Sequence, residues 1–224
     1  MTSKNSLILL VAVLAGFLVS CGGGEIGVVK VMPQKGRSVS VAKQPKKVVG
    51  AEKFAANVSS SALVKAAVSK PKDKHSMPVY SFGERQRIVR TTAYTCSEDD
   101  HIVYGSKNAI GTNLRYSDKV RSAAADWSFY PVGTVFRVKG MPQLFVVDDY
   151  GSALTGTGTI DMYMPSKAHM NAWGRRNVEI SVVQWGSFKQ SAEILSSRKK
   201  FSHCARMLAN ITRQRPDLAA VAAR

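Results

Sequence analysis

QLFVVDDYGSALTGTGTIDMYM, residues 143–164, decides how this chain folds. Two runs rich in β-branched and aromatic residues, Gln143 to Asp149 and Thr159 to Met164, flank a segment containing Gly151, Gly156 and Gly158. Val, Ile, Phe and Tyr suit a pleated, half-buried surface, and glycine interrupts it. The stretch reads as strand, glycine-rich loop, strand. One aspartate ends the first strand and another lies within the second.

Working outward, four more runs have strand character: RIVRTTAYT (87–95), VRSAAA (120–125), TVFRVK (134–139) and NVEISVVQ (177–184). TVFRVK and NVEISVVQ alternate apolar and polar residues, as half-buried strands do. One short helix is predicted over SKAHMNAW (166–173), with Ser166 as N-cap after Pro165 and Gly174 as its stop. Many short strands with one small helix predict a mainly β domain closed into a barrel over residues 86–185.

The flanks differ. From residue 186 to 224, Phe188, Ala192, Leu195, Phe201, Ala205, Leu208 and Ile211 recur at near-helical spacing, with basic residues on other faces. This predicts an amphipathic helix, broken near SSRKK (196–200) and stopped before Pro216. Such a helix packs on its own domain or lies on a membrane surface, the first being the commoner outcome. Residues 21–85 have few aromatics and many scattered lysines, as in KVMPQKGRSVSVAKQPKKVV (30–49) and SKPKDKHSMP (69–78). Low apolar density does not offset ordering entropy, so this segment reads as a disordered basic linker, with at most a weak helix between Ala51 and Ala67. Gly22-Gly23-Gly24 supports a flexible stem.

Residues 1–20 read as a signal peptide: Lys4, an apolar run from Leu7 to Phe17, then Leu18-Val19-Ser20 before Cys21. The run falls short of the roughly 20 apolar residues of a membrane span. A cysteine at the cut resembles the lipobox of bacterial lipoproteins, which implies acylation (palmitate) of Cys21 and a lipid-anchored protein of the cell envelope, in the outer membrane facing the periplasm if the cell is Gram-negative. The formal charge is +17 and the pI about 10.0, which calls for an anionic partner. An exported chain meets lipid headgroups and wall carboxylates rather than nucleic acid. Cys96 and Cys204 remain beyond Cys21. Spacing leaves open a disulfide or two separate thiols.

Three aspartates concentrate the chemistry: Asp126 in AAADWSFYPVGT, Asp149 in VVDDYGSAL and Asp161 in TGTGTIDMYMP. Glycine loops let carboxylates approach without side-chain obstruction. Two neighbouring carboxylates do not both ionise easily, and the one that keeps its proton suits protonation of a glycosidic oxygen. The plainer alternative is that aspartates beside glycine form turns. Trp127 and Tyr150 flank the acids and are candidates for stacking on sugar. Trp173 is read as packing the helix on the barrel and His169 as a surface residue. His101 with Asp99 and Asp100 lacks the further ligand that a zinc site needs. Neither a metal nor a cofactor is expected, and no phosphate loop or dinucleotide fingerprint appears.

The stretch from Thr91 to Val183 resembles the three-aspartate (3D) domain of stationary-phase survival proteins and of membrane-bound lytic transglycosylase A. The matching pieces are Ala93-Tyr94, Asp126 with Pro131-Val132-Gly133-Thr134, and Asp149-Tyr150-Gly151-Ser152-Ala153-Leu154-Thr155-Gly156. Ile160-Asp161-Met162, Ala172-Trp173-Gly174-Arg175-Arg176 and Val178-Glu179-Ile180 follow in order. The resemblance implies a six-stranded double-psi β-barrel. It implies a lytic transglycosylase that cleaves peptidoglycan between N-acetylmuramic acid and N-acetylglucosamine, leaving 1,6-anhydro ends. By position Asp161 would be the acid/base, Asp149 its neighbour and Asp126 an orienting residue, with Tyr94, Trp127, Tyr150, Gly151 and Thr134 at the substrate. The loop before Asp161 is one residue longer than usual, and Ser152 replaces a glycine, which an ordinary φ tolerates. Asp148 precedes Asp149; strand alternation lets only one face the pocket, and the Gly151 match selects Asp149. A non-catalytic glycan-binding lipoprotein and a purely structural envelope lipoprotein are the competing classes.

The lipobox reading makes a direct prediction. Cys21→Ser should leave the protein unprocessed and unlabelled by a clickable fatty acid; continued labelling would refute lipidation at this residue.

Overall fold

The computed structural model describes residues 61–97 and 105–223. In order these form α1 (Ser61–Val68), β1 (Gln86–Tyr94), β2 (Val120–Ala125), β3 (Val135–Val138) and β4 (Leu144–Asp149). They continue with β5 (Ile160–Tyr163), α2 (Lys167–Trp173), β6 (Arg176–Gln184), α3 (Phe188–Ser196), α4 (Ser202–Gln214) and α5 (Ala219–Ala222). The strands close into one six-stranded barrel in the order β1-β5-β2-β4-β3-β6. β1 pairs with β5 and β2 with β4 in parallel, and the other four pairings are antiparallel. Parallel neighbours cannot be joined by a tight hairpin, and here intervening strands separate each parallel pair in sequence. The six expected strands and the mainly β class are all present.

Alternation sorts each strand into an inner and an outer face. Val89, Ala123, Ala125, Phe136, Val138, Phe145, Val147, Ile160, Met162, Val178 and Ile180 point inward into one core. Thr92, Tyr94, Ala124 and Asp161 alternate with them and point outward. Small alanines on β2 let its neighbours close around it, and Ala123 and Ala125 are fully buried. Helix α2 starts and stops as predicted. Ser166 accepts from the His169 amide, and Gly174 ends the helix at φ 60°, where a glycine is unstrained.

The tail packs on the barrel. Phe188, Ala192 and Leu195 of α3, and Cys204, Met207, Leu208 and Ile211 of α4, join the barrel core. The break falls in the basic run, as its polarity predicted. Cys96 and Cys204 are both free thiols, Cys204 fully buried. The reading of residues 21–85 as a disordered linker, with the domain starting at 86, is corrected for residues 61–85. Met77 and Tyr80 are buried, and the Ile88 amide donates to the Tyr80 hydroxyl at 2.8 Å. The reason is a buried cation. Arg87, 1% exposed, lies within 4.8–5.4 Å of the Tyr80, Tyr130 and Trp185 rings and donates to the Ser81 and Glu84 carbonyls. Aromatic faces and carbonyl oxygens compensate the charge that burial removes from water. Residues 21–60, including the lipobox Cys21, and the Asp99, Asp100 and His101 group lie outside the described residues.

Barrel and tail meet at Gly186, whose amide donates to the Thr134 hydroxyl, while the Ser187 amide donates to the Val132 carbonyl. A Cβ at Gly186 would approach the Val132 and Pro131 carbonyl oxygens and the Thr134 nitrogen, all backbone, at 2.1–2.5 Å. None of these can swing away. Gly186→Ala should therefore destabilise the fold by about 3 kcal/mol and lower Tm by roughly 6–12 °C. An unchanged melting curve would contradict this junction.

Candidate active site

Strand β2 sets the site. Ala124 pairs with Asp149 on one side and with Asp161 on the other. Both carboxylates thus stand on the outer face, their backbones two strand spacings apart, about 10 Å. β1 lies beyond β5, with Thr92 in register with Asp161. The Thr92 hydroxyl donates to Asp161 Oδ1 at 2.7 Å. Tyr94, two residues on, donates to Asp149 Oδ2 at 3.2 Å. Asp149 Oδ1 accepts from the Ala109 and Tyr150 amides at 3.1 and 2.9 Å. Asp149 and Tyr94 are nearly buried, whereas Thr92 and Asp161 are half-buried and form the accessible edge.

A register shift between Ala123 and Ala124 pairs Val147 with Ala123 and Asp149 with Ala124, leaving Asp148 as the extra residue. Simple alternation had excluded Asp148 from the face that holds Asp149. The bulge overturns that: Asp148 Oδ2 accepts from the outward Ser122 hydroxyl at 2.8 Å and from Arg115 at 3.3 Å. Burial raises the Asp148 carboxyl above its ordinary value, opposed by Ser122 and Arg115. The Tyr94 phenol is pushed well above the usual range, first by burial and then by the negative charge of Asp149, Asp148 and Asp161. It stays protonated and acts as a donor. The sequence signal for Asp148 was the double aspartate, but no residue type announced the bulge.

Other expected site residues have different surroundings. Asp126 is fully buried and away from the accessible edge. Its Oδ1 accepts from the Ser128 amide and hydroxyl, and its Oδ2 from the Gly156 amide at 2.6 Å. Asp126, read as an orienting residue, here ties down the glycine loop that leads into Asp161. Burial raises its carboxyl, and these donors pull it back. Trp127, expected to stack on sugar, has no exposed surface. Its indole donates to the Asp149 carbonyl at 2.9 Å, and its ring packs edge-on against Tyr150 at 4.9 Å. Thr134 is also fully buried; its hydroxyl donates to the Pro131 carbonyl and accepts from Gly186. Tyr150 is half-buried beneath the tail, where burial pushes its phenol up to about 12. Gly151 has an ordinary extended φ of −143° and opens a short 3-10 turn, Ser152–Leu154. Ser76 alone among described non-glycine residues has positive φ, so Ser152 is unstrained. Trp173 is buried and bonded to Thr91, and His169 is half-buried and bonded to its cap Ser166. Among the described residues, no group of three or more His, Cys, Asp or Glu is arranged to hold a metal.

Residues 121–184 match the family model of the 3D domain, in agreement with the resemblance read from the motifs. All three aspartates fall inside the match; β1 with Thr92 and Tyr94, and the helical tail, fall outside it. A cell wall-binding protein, YocH, of Bacillus subtilis (strain 168) is 27% identical over 99 residues, covering 44% of this chain. The matched stretch spans a third of that protein's length.

The Asp148 environment gives a pH signature. A carboxyl raised in the folded state above its unfolded value of 3.8 stabilises the fold most at low pH, and that contribution is lost as pH rises through the folded value. Asp148→Asn removes this dependence. Denaturant titrations should show the variant gaining stability relative to wild type between pH 4 and pH 7. A constant difference would refute the raised carboxyl.

Proposed function

We propose that this protein acts on bacterial cell-wall peptidoglycan as a lytic transglycosylase, with Asp161 as acid/base and Asp149 as a fixed anion beside it. One observation carries the reading: the two carboxylates flank Ala124 on one outward face, each held by a hydroxyl of β1. Asp149 accepts three hydrogen bonds across both oxygens, which suits a permanent acceptor. Asp161 is half-buried, and its Thr92 partner is a hydroxyl that can rotate to accept when Asp161 carries the proton. This asymmetry separates the roles: one group stays charged, and the other exchanges a proton at the accessible edge.

The chemistry balances without water. The Asp161 carboxylic acid gives its proton to the glycosidic oxygen as the bond from that oxygen to the muramoyl anomeric carbon breaks. Positive charge develops on the sugar, and the Asp149 anion stabilises it. The Asp161 carboxylate then takes the proton of the muramoyl C6 hydroxyl, whose oxygen closes on the anomeric carbon. The product is the 1,6-anhydro ring, and Asp161 is again protonated. Because nucleophile and electrophile belong to one sugar, proximity supplies what a second catalytic carboxylate supplies in other glycosidases. The name of the Bacillus relative favours a second reading, in which the same face binds wall glycan without cleaving it.

Mass spectrometry of digested peptidoglycan separates the two. Wild type should release anhydromuramoyl fragments. Asp161→Asn should lower release by about 10²–10⁴-fold with the melting curve unchanged. Asp149→Asn should lower it by about 10²-fold. Wild-type binding to peptidoglycan with no anhydro product from any wall preparation would leave the binding reading.

A further inference from the structure

The helical tail lies outside the matched 3D residues, yet one of its side chains reaches two residues that hold Asp149. Arg198, in the turn between α3 and α4, donates from Nη2 to the Ala109 carbonyl at 2.9 Å and from Nη1 to the Tyr150 hydroxyl at 3.1 Å. Its guanidinium lies 5.8 Å from the Tyr150 ring centre. Ala109 and Tyr150 are also the residues whose amides hold Asp149 Oδ1. They come from unrelated parts of the chain, the loop before β2 and the residue after β4. Arg198 grips both at once.

We propose that Arg198 is a positioning residue for Asp149, through which the tail sets the two amides that hold that carboxylate. A planar guanidinium has donors on separate nitrogens and spans two acceptors in fixed geometry, which an ammonium does not. The tail has other means of staying docked. Leu195, Cys204, Met207 and Ile211 are in the core, the Val132 amide donates to Ser191 Oγ, and Gln214 donates to the Ser128 carbonyl. Arg198 is thus not required to hold the helices down. The Trp127 indole separately fixes the Asp149 carbonyl. The neighbouring Lys199 and Lys200 are exposed. The consequence for turnover rests on the function proposed above; the positioning of Asp149 does not.

The test follows the Asp149 carboxyl itself. In the full chain labelled with ¹³C at aspartate carboxyl carbons, its signal is assigned by its loss in Asp149→Asn and followed against pH. Tyr94, which donates to this carboxylate, and Asp148 and Asp161, whose charges act with it on Tyr94, are unchanged in every Arg198 variant. Arg198→Ala should move the Asp149 titration to higher pH, because the two amides that donate to the anion are no longer held in place. It should also speed hydrogen exchange at the Ala109 amide by about tenfold. Arg198→Lys should give an intermediate shift, and Lys199→Ala none. An Asp149 titration in Arg198→Ala that coincides with wild type, whatever the melting temperature, would overturn the proposal. If Arg198→Ala does not fold, Arg198→Lys decides: a wild-type titration there overturns it equally. Absence of anhydro products from wild type would remove the lyase reading and leave the titration result standing.

Discussion

The register of β2 is the constraint on which the carboxylate face depends. Ala124 must lie opposite Asp149 and Asp161 at once, and it does so in a parallel pairing on one side and an antiparallel pairing on the other. A slip of β2 by one residue would turn Ala123 or Ala125 outward and take Ala124 from between the aspartates. Buried Ala123 and Ala125 hold the register from within. The small outward side chain of Ala124 is itself buried, in an apolar cluster with Tyr94, Leu154 and Tyr163. The bulge at Asp148 absorbs the mismatch between β2 and β4 and adds a third acid to the same face.

Much of what makes this face usable comes from outside the matched residues. β1 supplies the hydroxyls of Thr92 and Tyr94, the tail supplies Arg198, and the segment before β1 closes over Arg87. That segment also touches the glycine loop, since Asp73 Oδ2 accepts from the Gly158 amide at 3.2 Å. Asp126 holds the same loop at Gly156. Two buried or half-buried carboxylates thus fix the backbone that delivers Asp161, which accommodates its extra residue without strain.

The strands were legible because their residues agree locally with their place in the barrel. Val, Ile and Phe alternate inward, and glycine or proline separates the runs. Helix α2 was legible from Ser166 and Gly174 alone. The packing of residues 61–85 was not, because it rests on a few buried side chains, among them Ala67, Met77 and Tyr80, and on Tyr80 meeting a buried cation, and composition averages over such contacts. Asp148 was hidden by a bulge, which breaks the period that strand reading relies on. Trp127 and Thr134 lie in the stretch that carries the matching motifs, but their polar atoms are spent on backbone partners. A sequence motif does not separate a residue that touches substrate from one that supports the loop beneath it. Arg198 looked like one cation in a basic run; only the fold shows that it alone of Arg198, Lys199 and Lys200 turns inward to two acceptors.

The proposed site is one outward face of the barrel, edged by Thr92 and Asp161 and backed by Tyr94 and Asp149. The molecule also carries an aromatic pair, Phe82 and Trp185, with ring centres 4.6 Å apart and Phe82 49% exposed, which has the shape for stacking on sugar. Amide chemical-shift mapping with a soluble N-acetylglucosamine–N-acetylmuramic acid oligomer distinguishes them directly. The account predicts perturbations at Thr92, Ala93, Ala124 and Asp161, fading at the fully buried Trp127 and Thr134. Perturbations confined to Phe82 and Trp185, with none at Thr92 or Asp161, would contradict it.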